Sequence, residues 1–287
     1  MTERAYAKIN LTLDVFAKRE DGYHDVRTVL QEVSLFDTVS LRSSPARGKG
    51  SVLLRLTGAR ELPTDDHNLC VRAAKAFFDR FDRHNTDVDI DLKKQIPIGA
   101  GLGGGSSDAA AVLRMLNREL AVGASDRELE ELGAALGADV PFFIRGGTQL
   151  AEGFGEKLTP LSFDRREIYV LARPDRILRT PEIFAGFDAL AEAPEKTTGP
   201  FLNALREGKD PYPYLGNGLS PAAEEKAPEI RQFRYLLQAD GAYACLSGSG
   251  PTVFGVFRSY FKAQRAARHL QETGKAQTVK TVLPVIR

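Results

Sequence analysis

The chain opens on a strict alternation. In AYAKINLTLDV, Ala5, Ala7, Ile9, Leu11, Leu13 and Val15 fall on one side, and Tyr6, Lys8, Asn10, Thr12 and Asp14 on the other. A period of two is the signature of a pleated strand, and it predicts a half-buried β-strand with a solvated polar face. Asp21-Gly22 reads as a turn, VRTVLQEVSLFDTVSLR continues as β-structure, and SSPARGKGS reads as a loop tip. The period then changes. Leu69, Ala73, Ala76, Phe77 and Phe81 recur at helical spacing within NLCVRAAKAFFDRF. VDIDLKKQI alternates again, with Val88, Ile90 and Leu92 inward. Ala109, Val112, Leu113, Leu116 and Leu120 make a second helical stripe that ends at Gly123. Ser125 and Glu128 have capping-box spacing for another helix, which stops at Gly137. DVPFFI is a short apolar segment broken by Gly146-Gly147, and TQLAEGFGEKLTPL has the pattern of a hairpin.

A second half begins near residue 150. EIYVLAR is a strand, a helix follows around Ile230–Gln238, and then come strand AYACL, loop SGSGP, strand TVFGVF, helix FKAQRAARHLQE and strand VKTVLPVI. That order predicts an α+β sandwich of the split βαβ kind. Ala189 to Pro221 is rich in Pro and Gly and has no clear period. No internal repeat or low-complexity tract is visible.

Composition narrows the function classes. A chain of 287 residues is comfortable for two domains. With 39 Lys and Arg against 38 Asp and Glu the net charge is +1, so no global field favours nucleic acid or an anionic membrane, and an anion site must be local. Cys70 and Cys245 form neither a disulfide framework nor a CxxC zinc pattern, and His24, His67, His84 and His269 are scattered. MTERAYAKIN lacks the apolar core of a signal peptide, and no apolar run approaches the ~20 residues of a membrane span, so the expectation is a cytoplasmic protein.

The chemistry concentrates in PIGAGLGGGSSDAAA, Pro97 to Ala111. Five glycines at about 0.5–1 kcal/mol each in regular structure are costly unless their backbone is needed. A Walker A loop requires Lys-Ser/Thr after its last glycine, and here Ser106-Ser107 follows Gly105. Gly99, Gly101 and Gly104 spell GxGxxG, but the preceding strand carries Asp89, Asp91 and Lys93 on one face, unlike the doubly buried strands of dinucleotide-binding sheets. What remains is a glycine loop opening a helix, with bare N–H groups facing an anion and Ser106 and Ser107 adding hydroxyls, or a connector that holds no ligand. A helix end contributes about 0.3–1 kcal/mol, up to ~2 in a sheltered site, so a triphosphate would also need Mg²⁺ and a lysine.

PIGAGLGGGSSDAAA resembles the phosphate-binding motif of the GHMP kinases. AYAKINLTLDV resembles the first motif of that family and CLSGSGPTVFG, Cys245 to Gly255, its third, in the family order. KREDGYHDVRT, the triple glycine and LGADVPFF resemble the members whose substrate is a polyol carrying cytidine diphosphate. The resemblance implies a two-domain α+β fold: an N-terminal domain like ribosomal protein S5 domain 2 over 1–150 and a ferredoxin-like C-terminal domain over 151–287, with the active site in the cleft between them and a final strand that can return to the first domain.

It also implies the site. Lys8 and Asp139 match the catalytic lysine and aspartate, the lysine holding the carboxylate ionised and the aspartate accepting the substrate hydroxyl proton. Gly99, Gly101, Gly103, Gly104, Gly105, Ser106, Ser107 and Gly248 match the phosphate loops, and Lys94 and Asn68 match positions near the adenine of ATP. Asn10 shares a strand face with Lys8, while Tyr23, His24, Thr180 and Phe184 match the pocket for the substrate's cytosine, where one ring stacks and another reads an edge. ATP and Mg²⁺ are the implied cofactors; Ser107 and Asp139 are both permitted as metal ligands. The implied partners are small molecules, with no nucleic acid or membrane, and the chain is expected as a monomer or weak homodimer. KQIP and RREI are too short for a basic stripe. Asp108, His67 and Gly218 depart from the family's usual residues, and a carboxylate at 108 would repel a nucleotide unless it points away or caps the helix. Another small-alcohol kinase, such as one for homoserine, and a non-catalytic nucleotide-binding protein of this fold stay open.

Overall fold

The alternating segments form strands and the segments of helical period form helices. A computed structural model of the protein describes residues 1–59, 61–163 and 166–287, so Arg165 of the short basic segment RREI lies outside the described residues. The described residues group into two compact units, each discontinuous in sequence. One comprises Met1–Ala7, Leu35–Ile98 and Gly103–Gly146, the other Lys8–Ser34, Gly99–Leu102 and Gly147–Arg287. Strands β1 (Thr2–Lys18) and β2 (His24–Pro45) supply residues to both.

The first unit adds β3 (Val52–Thr57), α1 (Leu69–Phe81), β4 (Thr86–Lys93), α2 (Gly104–Glu119), α3 (Asp126–Ala134) and α4 (Val140–Arg145). β4 pairs antiparallel with Thr38–Pro45 of β2 and parallel with β3, and α1 makes the crossover between the parallel pair. Val88, Ile90 and Leu92 are buried as the alternation predicts, and Phe77, Ala109, Val112, Leu113 and Leu116 join them in the core. Each large aliphatic side chain buried this way contributes roughly 1.5–3 kcal/mol. The capping box of α3 is present, with Ser125 N–H donating to Glu128 Oε2 at 2.9 Å. Two boundaries differ from the sequence pattern. DVPFFI contains a helix, α4, because Pro141 fits its first turn and Val140, Phe142, Phe143 and Ile144 are buried together, leaving no polar face to reveal a period. α2 ends at Glu119, before Gly123, because the Asn117 side chain closes the turn on both polar groups of Ala124, at 2.9 and 2.8 Å.

The second unit adds the hairpin β5 (Thr148–Gly153) and β6 (Lys157–Pro160), then β7 (Ile168–Pro174), α5 (Thr180–Asp188), α6 (Thr198–Arg206), β8 (Gly216–Asn217), α7 (Ser220–Lys226), α8 (Pro228–Ala239), β9 (Tyr243–Leu246), β10 (Val253–Phe257), α9 (Tyr260–Glu272) and β11 (Ala276–Val282). β7, β9, β10 and β11 form an antiparallel sheet in the order β11-β7-β10-β9, the split βαβ arrangement. Ile230, Phe233 and Leu237 of α8 and Ala263, Ala266 and Leu270 of α9 cover it in one core with Val170, Ala172, Val253 and Phe257. β11 stays in this sheet. The residues after it bond to β2, with Ser34 N–H donating to the Leu283 carbonyl at 2.8 Å and Val285 N–H to the Glu32 carbonyl at 2.9 Å.

The polar face of β1 is not solvated. Lys8, Asn10, Thr12 and Asp14 are 4, 4, 0 and 3% exposed. The segment without a clear period covers part of this face. At the start of α6, Asp14 Oδ1 accepts from Thr197 N–H at 2.8 Å and Asp14 Oδ2 from Thr198 N–H at 3.2 Å, while Thr198 Oγ1 lies 2.9 Å from Thr12 Oγ1. Asp14 thus caps a helix nearly two hundred residues away. Its removal strands buried N–H groups, so Asp14→Ala is expected to lower the unfolding free energy by about 1–3 kcal/mol, read from the denaturant midpoint. An unchanged midpoint would mean that α6 is held elsewhere.

Candidate active site

In the second unit, two glycine turns pack against each other beside β1. Gly101 has a φ of +74°, and a Cβ there would sit 2.3 Å from the Ser247 carbonyl oxygen. No other residue fits without a shift of backbone. Ser247 Oγ donates to the Gly101 carbonyl at 3.0 Å, and Lys8 N–H donates to the Leu102 carbonyl at 2.9 Å. Gly248 is at φ +57°, where a Cβ would lie 3.3 Å from the Gly101 carbonyl oxygen and 3.5 Å from Asn10 Oδ1. Asn217 Nδ2 holds this second turn by donating to the carbonyls of Leu246 and Gly248, at 3.0 and 2.8 Å. Lys8 Nζ donates to Asn10 Oδ1 at 2.9 Å, and Asn10 Nδ2 donates to Thr28 Oγ1 at 2.9 Å. The fold therefore brings Lys8, Asn10, Gly101 and Gly248 together, a buried cation and amide beside two bare backbone turns.

The same unit gathers the aromatic residues. His24 Nε2 lies 2.7 Å from Asp188 Oδ1. The His24 ring packs on Phe184 with centroids 5.1 Å apart and on Phe187 at 5.8 Å. Tyr23 is exposed, and Thr180 Oγ1 lies 2.9 Å from Ser249 Oγ.

In the first unit, Gly103 at φ +70° precedes α2, no side chain caps that helix, and Gly104, Gly105, Ser106 and Ser107 form its first turn. Lys94 lies beneath it. Its Nζ is 2.5 Å from Asp37 Oδ2 and 2.6 Å from Asp108 Oδ2, and a Cβ on Gly104 would come within 3.2 Å of it. Asn68 caps α1, accepting from Cys70 N–H at 2.9 Å and donating to the Pro63 carbonyl at 2.8 Å. Asp139 immediately precedes α4, and its side chain does not cap that helix.

Comparison with known proteins places this geometry. The model of the GHMP kinases N terminal domain matches residues 68–147, and that of the GHMP kinases C terminal matches residues 189–276. The chain is 40% identical over 271 residues to 4-diphosphocytidyl-2-C-methyl-D-erythritol kinase of Alkaliphilus oremlandii, covering 93% of this chain and 91% of that one. It belongs to the GHMP kinase family. The protein of the same name from Prosthecochloris aestuarii is 38% identical over 278 residues, 96% of this chain and 95% of that one. A crystal structure of 4-(cytidine 5'-diphospho)-2C-methyl-D-erythritol kinase superposes with a TM-score of 0.80 at 34% identity, covering 99% of each chain. The structure of homoserine kinase from Cytophaga hutchinsonii shares the fold, with a TM-score of 0.72 at 18% identity over 97% of this chain and 95% of that one.

In this GHMP kinase the departures have a structural account. Asp108 is turned into an ion pair with Lys94, and His67 is exposed against Asp65, with Nδ1 2.9 Å from its Oδ1. Gly218 N–H donates to the Leu13 carbonyl at 2.8 Å, close against β1. Lys94 has both its carboxylate partners within the protein, so its charge serves the floor under α2. Asp37, beside Lys94 in the first unit, and Asp188, Asn217 and Thr198 in the second are residues that the sequence did not single out. Asp37 sits inside an alternating strand and Asp188 and Asn217 in or beside the stretch without period, so none stood in a recognisable motif.

The ion-pair floor has an electrostatic consequence. Two carboxylates share one lysine under burial. Burial pulls the Lys94 ammonium down, but Asp108 and Asp37 outweigh it and the net direction is upward. Burial pushes the Asp108 carboxyl up to about 7, with the Lys94 charge opposing and Asp37 adding to the rise. A carboxyl whose folded pKa exceeds its unfolded value binds an extra proton in the folded state, so its contribution to stability falls as pH rises through that window. Between about pH 4 and 7 the wild type is expected to lose stability relative to Asp108→Asn, measured as the difference in unfolding free energy across pH. Parallel pH profiles would overturn this. Gly101→Ala is expected to lower the unfolding free energy by about 1–3 kcal/mol and to abolish nucleotide binding, seen by thermal unfolding with and without ATP. A variant still stabilised by ATP would show that the loop tolerates a Cβ.

Proposed function

We propose that this chain transfers the γ-phosphoryl group of ATP to the 2-hydroxyl of 4-diphosphocytidyl-2-C-methyl-D-erythritol, in the non-mevalonate route to isoprenoid precursors. The observation that carries this is the packing of Lys8 and Asn10 against the Gly101 and Gly248 turns, in a chain that aligns over 93% of its length with a kinase so named. We assign the family's two domains to 1–150 and 151–287. The acceptor oxygen attacks the γ-phosphorus, the bond to the β-phosphate oxygen breaks, and ADP leaves. Asp139 positions the acceptor hydroxyl and takes its proton. Lys8 stabilises the charge that develops on the transferred group, and Asn10 orients the substrate beside it. Phosphoryl transfer asks chiefly for such positioning and charge stabilisation.

Backbone N–H groups from Gly99 to Gly105 and at Gly248, with the Ser106 and Ser107 hydroxyls, are assigned to the nucleotide phosphates. Lys94 and Asn68 are assigned near the adenine, where the caps and ion pairs described above leave them a supporting part. Tyr23, His24, Thr180 and Phe184 are assigned to the cytosine. Among the described residues no group of three His, Cys, Asp or Glu is placed to hold a metal; Ser107 and Asp139 are the residues that would offer oxygens to an Mg²⁺ bound with the nucleotide. When bound, Mg²⁺ supplies charge neutralisation at the phosphates. Among the described residues no helix is long and apolar enough to cross a membrane. Cys70 and Cys245 are buried free thiols, which supports a reducing, cytoplasmic setting, and a monomer or weak homodimer completes the proposal.

The test is ATP-dependent ADP release with the cytidylated substrate, run beside homoserine and mevalonate. Turnover is expected with the cytidylated substrate alone. Asp139→Asn and Lys8→Met are each expected to lower kcat by about 10²–10³ with the thermal midpoint retained. Turnover with another alcohol would sink the cytosine pocket, and nucleotide binding without turnover would favour a non-catalytic protein.

A further inference from the structure

Asp188, at the last turn of α5, meets His24 at the start of β2. The two are 164 positions apart in sequence, and nothing in the motifs links them. His24 Nε2 lies 2.7 Å from Asp188 Oδ1, and Asp188 Oδ2 receives Lys18 Nζ at 3.3 Å. The His24 side chain is 4% exposed, and its ring is held between Phe184, tilted 35° to it, and Phe187, nearly perpendicular at 88°. A ring so packed presents its two nitrogens in one orientation. Resting on the cytosine assignment above, we propose that Asp188 is a positioning residue that sets which nucleobase this pocket takes, by fixing the tautomer of His24.

The chemistry runs from the carboxylate outward. The hydrogen bond from His24, followed by that from Lys18, holds the Asp188 carboxyl below the usual carboxylate range. An ionised carboxylate only accepts, so Nε2 carries the proton. In the neutral imidazole Nδ1 then keeps its lone pair. Among the described residues no hydrogen bond is made to Nδ1. An acceptor at that position pairs with a base that presents an exocyclic amine, as cytosine does through N4, and opposes a base that presents a carbonyl there, as uracil does. The opposite tautomer would reverse the preference. Cytosine and uracil have nearly the same shape and both stack, so Tyr23 and Phe184 cannot separate them. The proton on His24 can.

The experiment compares kcat/KM for 4-diphosphocytidyl-2-C-methyl-D-erythritol and its uridine counterpart, in wild type, Asp188→Asn and Asp188→Glu. Asparagine offers Nε2 either a carbonyl or an amide and so releases the tautomer. In Asp188→Asn the preference for the cytidine substrate is expected to fall about 10- to 100-fold, through KM, with kcat for that substrate nearly retained. Asp188→Glu, which keeps a carboxylate, is expected to preserve most of the preference. Nitrogen-15 NMR of the free wild type is expected to show Nδ1 unprotonated at His24, and a tautomer mixture in Asp188→Asn. An unchanged preference in Asp188→Asn, in a wild type that does phosphorylate the cytidine substrate, overturns this inference and leaves the proposed function standing. So does a protonated Nδ1 in the wild type at neutral pH. A wild type that phosphorylates neither nucleotide substrate overturns the function itself and this inference with it.

Discussion

A polar strand face removed from water must find its hydrogen bonds inside the protein, and the site described here depends on how β1 meets that demand. An unpaired buried polar group costs about 1–3 kcal/mol on mutational scales, and an unpaired buried charge more. Lys8, Asn10, Thr12 and Asp14 stand at alternate positions of one strand, so every solution has to come from one side. Asn10 is tied to Thr28 on β2, while Thr12 and Asp14 are both tied to the start of α6. The partners come from two elements, β2 and α6, and both are thereby brought to β1. The catalytic candidate Lys8 inherits this rigidity: its amine donates to an amide that is itself fixed.

The glycines serve the same end by another route. Where Gly101 and Gly248 approach, the space for a Cβ is already taken by carbonyl oxygens and by Asn10. Close approach of bare backbone is what lets N–H groups converge on an anion in a chain whose net charge is only +1. Beside these turns the second unit places the amine of Lys8, held by Asn10. Beneath α2 the charges are arranged differently. Lys94 stands between Asp37 and Asp108, so that floor carries more carboxylate than ammonium, and the balance there is set by protonation of Asp108.

The contact between α5 and β2 shows how tertiary structure can give meaning to a residue with no local signal. Asp188 ends a helix, and alone it would be an ordinary solvent-facing carboxylate. Against His24 it becomes the group that decides which ring nitrogen holds a proton. Phe184 and Phe187, three residues apart on that helix, press on the same ring.

Much of the fold was legible in the sequence because it rests on short-range patterns. The alternation of β4, the stripe of α2, the capping box at Ser125 and the order of elements from α8 to β11 follow from side-chain period and cap chemistry, which act over a few residues. The glycine turns were legible for the same reason, since a positive φ and a missing Cβ are local demands. The tertiary structure decided the rest. It buried the polar face of β1, turned Lys94 and Asp108 toward each other, gave the periodless stretch its place against β1, and joined His24 to Asp188. A sequence pattern can say that a side chain is polar and which face it shares. Whether that face meets water or a partner depends on residues far along the chain, and only their packing determines it.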